Sequence, residues 1–290
     1  MEFLGPTTWA DALAAKAEHP GALPLMGGTD VMVEINFDQR RPPALLDLTR
    51  VPELREWAPD GGLIRLGAAV TYARVIDELG TTLSGLAMAA RTIGSPQIRN
   101  RGTVGGNLGA ASPAGDSHPP LLASDAVVEV ESAARGMRQL PVAQFYTGVK
   151  RNALAPDELI AAVLIPPPTG PQQFCKIGTR NAMVIAVSAF GLALHPDRKA
   201  VGTGIGSAAP TPRRADAAAH FLSGELDAAG LWESRGELPD GLAREFGHRV
   251  SAAAAPIDDV RGSAAYRLHS LSVMARRAAT WAWNDYRKAA

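Results

Sequence analysis

Residues 92–116 read TIGSPQIRNRGTVGGNLGAASPAGD, and far upstream a second glycine pair sits in LMGGTDV, residues 25–31. Glycine has no Cβ to hold backbones apart and takes up positive φ freely, so such segments let main chain approach main chain, or a ligand, unusually closely. A chain carrying two of them must fold so that bare backbone meets something. The side chains beside them offer little chemistry: Arg99, Asn100 and Arg101 come with no acidic pair and no cysteine.

At 290 residues the chain has room for two or three modules around a sizeable core. Hydrophobic residues make up 46% and charged residues 20%, which excludes disordered and fibrous classes. Lys plus Arg and Asp plus Glu are both 29, so no basic excess supports a nucleic-acid or anionic-membrane surface. The single cysteine, Cys175, forms no internal disulfide and supplies too few thiolates for an iron–sulfur cluster or a Cys-rich zinc site. Six scattered histidines form no HExxH or comparable cluster, so no metal site is expected. With no basic flank before an apolar core and no run near ~20 apolar residues, we expect neither export nor a membrane span, and a cytoplasmic location.

The pattern of elements is mixed. Thr7 or Thr8 caps an Ala-rich helix closed by Pro20-Gly21, a short strand then enters the Gly27-Gly28 turn, and another strand lies near Leu45–Leu48. A strand from Gly62, a helix capped near Thr71 and a second helix ending at Gly94 lead into the glycine-rich stretch. DAVVEVES, GMRQLPVAQFYTG and LAPDELIAAVLIPPP read as strands, and Pro166, Pro167 and Pro168 mark a boundary. QQFCKIGTR, AVSAFGLALH and AVGTGIGSAAPTPRRA suggest a small antiparallel sheet. In the last helix Leu268, Leu271, Met274, Ala278 and Trp281 recur at helical spacing, with Arg267, Arg276 and Arg277 off that face. The expected division is 1–53, 54–168 and 169–290.

Two glycine loops, Leu25-Met26-Gly27-Gly28-Thr29-Asp30 and Thr103-Val104-Gly105-Gly106-Asn107, have the composition of phosphate cradles, in which successive N–H groups turn toward one anion. Either pair alone is the ordinary mark of a tight turn or close packing. GTGIG at 202–206 lacks the G-x-G-x-x-G spacing and is followed by Pro210 and Pro212, and no G-x-x-x-x-G-K-[ST] occurs, so Rossmann and P-loop sites are improbable. Arg99 and Arg101 read as structural or interface residues. Asp116 is equally readable as an acceptor for ligand hydroxyls or as the N-cap of a helix from Ser117; His118, alone in a loop, reads as solvated or hydrogen-bonded rather than catalytic.

PLMGGTDVMVEIN together with TIGSPQIRNRGTVGGNLGAASPAGD resembles the paired FAD-binding loops of the flavoprotein (medium) subunits of the molybdenum hydroxylases, the xanthine dehydrogenase and carbon monoxide dehydrogenase family. DELIAAVLIP, FCKIGTRNAMVIAVSAF, GIGSAAPTPRRA and IDDVRGSAAYRLHSLSVMARRA resemble the rest of that subunit in the same order, so the likeness covers nearly the whole chain. It implies an α+β fold: a two-lobed FAD-binding α/β domain of the PCMH type, then a C-terminal domain of three-stranded antiparallel sheet plus helices.

Carried over by position, the resemblance has Leu25, Met26, Gly27, Gly28, Thr29, Asp30 and Val31, with Thr103, Val104, Gly105, Gly106 and Asn107, hold the pyrophosphate and neighbouring oxygens. It puts Ile93 near the flavin ring, Asp116 on cofactor hydroxyls, and Ile160 and Lys176 in the rest of the pocket. An aromatic stands at the place of Ile93 in xanthine dehydrogenases. The family keeps its molybdenum cofactor in a large molybdopterin-binding subunit and its [2Fe-2S] clusters in a small iron–sulfur subunit, in a heterotrimer or a dimer of heterotrimers, with an external electron acceptor. An electron-transfer flavoprotein subunit without catalytic side chains is therefore expected. A stand-alone FAD-dependent oxidoreductase, with His118 and Tyr146 as its only loose acid–base candidates, and a cofactor-free interaction or maturation protein are the alternatives.

Overall fold

A computed structural model describes residues 1–289. The first sheet is parallel, in the order β1 (Glu2–Leu4), β3 (Ala44–Asp47), β2 (Leu23–Leu25). Two short helices belong to it. The first, α1 (Trp9–Glu18), begins where the Thr8 hydroxyl accepts from Asp11 N, and α2 (Val31–Asn36) leaves the glycine turn after β2. A short crossover of this kind is what parallel strands require.

The second sheet is antiparallel, in the order β4 (Trp57–Asp60), β5 (Leu63–Gly67), β10 (Leu159–Ile165), β6 (Val127–Ser132), β7 (Gly136–Pro141). Its middle strand β10, LIAAVLI, is buried along its whole length, as the unbroken apolar run demands. The register slips between Ile160 and Ala162, a bulge that re-aims Ile160. Between β5 and β6 run five helices, α3 (Tyr72–Glu78), α4 (Ser84–Thr92), α5 (Pro96–Arg101), α6 (Val104–Ala110) and α7 (His118–Ala123). The stretch that reads as loop is thus largely helical. Ser95 caps α5 and Thr103 caps α6, and each short helix stops at a glycine or at the left-handed Ala111. After β7, α8 (Val142–Phe145) leads into the two-stranded ribbon β8 (Tyr146–Gly148) and β9 (Arg151–Asn152). One hydrophobic cluster from Ala12 to Ile165 joins both sheets.

After the three prolines comes the antiparallel sheet β11 (Gln172–Ile177), β12 (Ser188–His195), β13 (Ala200–Gly206). One face carries Phe190, Leu192, Leu194, Val201 and Ile205 and packs on α9 (Asp216–Ala228), α11 (Asp240–Ala252) and α12 (Ala264–Lys288), with the short α10 (Leu231–Ser234) after α9. Period two puts Gly191, Gly202, Gly204 and Gly206 on the other face, against α7. A Cβ on Gly191 would lie 2.6 Å from the Pro119 carbonyl carbon, and one on Gly204 would overlap the Pro119 carbonyl oxygen. The GTGIG run is a seat for a helix.

Helix α12 buries the middle of the expected face, Leu271, Met274 and Ala278, but not its ends, where Leu268 is only half-buried. Trp281 is exposed, whereas Trp283 fills the core and Arg267 is buried, donating to the Val187 and Ser207 carbonyls at 2.6 Å each and pairing with Asp259 at 2.6 Å. A guanidinium can be buried where its fork meets acceptors, so charge alone misplaced Arg267. No helix among the described residues is long and apolar enough to cross a membrane.

Two glycine replacements should move in opposite directions. Gly204→Ala forces α7 off its seat and should cost ~1–3 kcal/mol, as overpacking does; Gly224→Ala, in α9 with open space around it, should stabilise by ~0.5–1 kcal/mol. Midpoints of denaturant unfolding read both.

Candidate functional site

The turn after β2, the N-terminal part of α6 and the C-terminal end of α4 surround a cavity of about 940 Å³. Met26, Gly27, Gly28, Thr29, Asp30 and Val31 line it, facing Thr103, Gly105, Gly106 and Asn107. The two glycine segments touch: a Cβ on Gly27 would collide with the Arg101 carbonyl oxygen and lie 2.8 Å from its carbon. Gly28 holds φ +74°, open to glycine at no steric cost.

The segments differ in what their amides do. From Met26 through Val31 no backbone N–H donates to a protein acceptor among the described residues. In the second segment Val104 N donates to Val70 O at 3.4 Å, Gly105 N to Ala68 O at 3.2 Å, Gly106 N to Thr103 Oγ1 at 2.9 Å and Asn107 N to Thr103 O at 3.0 Å. The expected pair of cradles is therefore one cradle and one helix start. A Cβ on Gly105 would lie 2.5 Å from Ala68 Cβ, so that glycine serves packing. Val104 is buried in the core and Leu25 stays on its strand; neither lines the cavity.

Asp116, Ile93 and Ile160 do line it. Asp116 is not an N-cap, because α7 starts at His118 behind Ser117. Its Oδ2 accepts from Lys176 Nζ at 2.5 Å and Thr92 Oγ1 at 3.3 Å, while Oδ1 is buried without a partner. Burial pushes the Asp116 carboxyl pKa up, against the opposing pull of the Lys176 ammonium. Lys176 shares a strand face with Phe174, which turns it toward α4, where it also reaches Thr92 O at 3.2 Å. It lines not the main cavity but a neighbouring cleft of about 390 Å³.

Sequence reasoning missed several wall residues. Ile98, Val184 and Ile185 join Ile93 in an aliphatic stretch, and Tyr72 is the one aromatic among the described lining residues. Tyr72 Oη lies 3.2 Å from Ser117 Oγ, which donates to Asn107 Oδ1 at 2.6 Å and so orients that amide. Lys16 lines the cavity with its ammonium held by Pro20 O at 2.8 Å and Ala22 O at 2.7 Å, and burial pulls its pKa down. Its place on the buried Ala face of α1 was the available signal. Glu34 ties α2 to the turn after β8 through Lys150 at 2.8 Å.

His118 is the opposite of a solvated loop residue. It is wholly buried, with Nδ1 2.7 Å from Tyr146 Oη, and neither ring lines the cavity. Burial pushes its pKa down to about 3.

The donor set fits a flavin dinucleotide. Unspent consecutive amides suit a pyrophosphate, and the orphaned, buried Asp116 Oδ1 suits a ligand hydroxyl. The family of FAD binding domains in molybdopterin dehydrogenases matches residues 1–168. The xanthine dehydrogenase FAD-binding subunit of Escherichia coli is 33% identical over 283 residues, 93% of this chain and 91% of that one. The nicotinate dehydrogenase FAD-subunit of Eubacterium barkeri is 34% identical over 212 residues, 70% of this chain and 71% of that one. Reconstituted CO dehydrogenase from Oligotropha carboxidovorans superposes with a TM-score of 0.88 at 26% identity, covering 98% of each chain. Quinoline 2-oxidoreductase from Pseudomonas putida, at 22% identity and a TM-score of 0.86 over 99% of this chain and 98% of that one, shares the fold. The chain belongs to the FAD-binding medium subunits of the molybdenum hydroxylase family, the xanthine dehydrogenase and CO dehydrogenase type. It is a flavoprotein subunit of an oxidoreductase.

The buried imidazole gives a pH test. The unfolded chain protonates this residue below about pH 6.5, the folded chain only near 3. Acid therefore favours unfolding across that window, by ~1.4 kcal/mol per pH unit. In His118→Phe, the fall of stability from about pH 6 to about pH 4 should be shallower by that slope, read as the difference between urea-unfolding curves of the two proteins.

Proposed function

We propose that this chain carries FAD as the electron-transfer subunit of a molybdenum hydroxylase complex, in three pieces at 1–53, 54–168 and 169–290. The observation that carries the reading is the run of unspent amides from Met26 to Val31 in the wall of the 940 Å³ cavity. These amides hold the pyrophosphate, with Thr103, Gly106 and Asn107 closing the opposite wall. Asp116 Oδ1 accepts from a cofactor hydroxyl. Ile93, Ile98, Val184 and Ile185, aliphatic side chains of the cavity wall, would bound the isoalloxazine in place of an aromatic cover, with Ile160 beside the bulge of β10 completing the pocket. Lys176 acts from behind, by holding the other carboxylate oxygen.

Bound FAD exchanges electrons singly or in pairs, and it is the group, not the side chains, that supplies the redox chemistry. In the proposed complex substrate is hydroxylated at the molybdenum cofactor of a large subunit. Electrons pass through [2Fe-2S] clusters of a small subunit to this chain, then to an external acceptor in the cytoplasm. Cys175 supports that division: one half-buried thiol, its pKa pushed up to about 11 by burial, builds no cluster. The assembly is a heterotrimer or its dimer. A stand-alone oxidoreductase is disfavoured because His118 and Tyr146 are bonded to each other behind the cavity wall.

Isolation from the native source should yield this chain with one larger and one smaller partner, with flavin and iron–sulfur absorption together. A lone yellow chain that turns over substrate, or a colourless one, would sink the proposal. Asp116→Ala removes a hydrogen bond to a charged acceptor, ~1.5–3 kcal/mol, and should weaken FAD binding by ~10- to 100-fold when flavin fluorescence is titrated.

A further inference from the structure

Nothing in the proposed electron route uses His118, yet its surroundings are closely determined. The ring opens α7, which is seated on the glycine face of the third sheet. Tyr146 fixes it from one side, with ring centroids 4.9 Å apart at 63° and the Oη–Nδ1 bond of 2.7 Å. The other nitrogen, Nε2, is buried against the Ser112–Gly115 turn, where the Ser112 backbone approaches it without closing a well-formed hydrogen bond. A Cβ on Gly115 would overlap this nitrogen, lie 2.6 Å from His118 Cδ2 and 2.7 Å from Asn107 Oδ1. The backbone of Gly115 thus rests directly on the imidazole edge. The turn above is short and tight: Gly115 N donates to Ser112 O at 3.0 Å, and Ala114 N to Ser112 Oγ at 3.3 Å. The next residue is Asp116.

We propose that His118 is a positioning residue for the cofactor carboxylate: the Tyr146-tethered imidazole supports Gly115, and so sets the backbone from which Asp116 presents Oδ1 to a ligand hydroxyl while Lys176 holds Oδ2. This rests on the FAD reading above. Two anchors are needed because a carboxylate held at one oxygen still swings with its backbone, and a hydrogen bond weakens steeply once its angle is lost. Lys176 supplies the side-chain anchor and His118 the backbone anchor. Burial favours the neutral ring, which adds no charge that would compete with Lys176 for the carboxylate. A chain of contacts then runs from the third sheet through α7 and His118 to the cavity wall.

The test is a pair of double-mutant cycles on the full chain, read as FAD affinity by flavin fluorescence. His118→Phe and Tyr146→Phe are each made alone and on an Asp116→Ala background. A residue that acts through Asp116 has nothing to position once that carboxylate is gone, whereas a residue that merely holds the structure together weakens binding equally in both backgrounds. His118→Phe should weaken FAD binding about tenfold or more and Tyr146→Phe several-fold, and neither should change the affinity of Asp116→Ala. Equal losses in both backgrounds overturn the positioning role while leaving the FAD assignment intact. A wild-type chain that takes up no FAD overturns both. Should His118→Phe fail to fold, the Tyr146→Phe cycle, which leaves the imidazole in place and removes only its tether, decides alone.

Discussion

The contact between Gly27 and the Arg101–Gly102 backbone is the constraint on which the site depends. Two main chains from segments far apart in sequence meet there at a distance that no side chain tolerates: a Cβ on Gly27 would overlap the Arg101 carbonyl oxygen and lie 2.8 Å from its carbon and 3.0 Å from Gly102 Cα. That meeting pins the turn after β2 against the start of α6, and the cavity is the space the two leave between them. Beneath it, one hydrophobic cluster takes in the first sheet, the second sheet and the helices between β5 and β6. The amides of Met26–Val31 stay unspent because the turn, held this close to another backbone, closes no hydrogen bonds of its own; the residues are half-buried or exposed in the cavity wall, so these donors stay open to the cavity.

Much of this was legible in the residues. The glycine pairs, the caps Thr8 and Thr71, the unbroken run of β10 and the three alternating segments of the last sheet each carry a local signal strong enough to survive folding. What escaped was set by tertiary partners. Composition alone cannot say whether a glycine-rich run is a loop or a short helix, and α5 and α6 became helical because Ser95 and Thr103 supply side-chain caps where a glycine count suggests none. Arg267 was read as solvent-facing because its carbonyl partners Val187 and Ser207 lie 80 and 60 residues away. Trp281 and Trp283 are equally apolar, and partners distant in the chain decide which is covered: Trp232 of α10 packs edge-on against Trp283 with ring centroids 5.3 Å apart, and Gly236 O accepts from its Nε1 at 2.9 Å.

The site itself was legible in its residue types but not in its division of labour. Sequence alone treats the two glycine pairs alike, since both show small residues beside a hydroxyl and an amide. In the folded chain the first pair exposes amides, while the second consumes them in a helix start and uses Gly105 to let Ala68 close in. Asp116 and Lys176 belong to different sheets' neighbourhoods and meet only because Lys176 follows Phe174 by two along β11. A buried pair of this kind has one charged oxygen compensated and one left open, and desolvation makes the open one costly to leave without a donor. Its retention is an argument for a ligand.

Glycine thus does three separate jobs in one chain, and the residue alone does not tell them apart. Gly204 lets a helix lie flat on a sheet, Gly27 lets two turns touch, and Gly115 lets a backbone rest on an imidazole. The first is announced by its spacing, because GTGIG repeats at the period of a strand and places its glycines on one face. The second and third have no period, since each depends on a partner distant in the chain or on a turn too short to repeat. A glycine that follows the period of its own element is explained by packing, and one that breaks it points to a contact that the element did not make by itself. By that reasoning Gly27 and Gly115 are the two that lead to the cavity, one through its amides and the other through the carboxylate beside it.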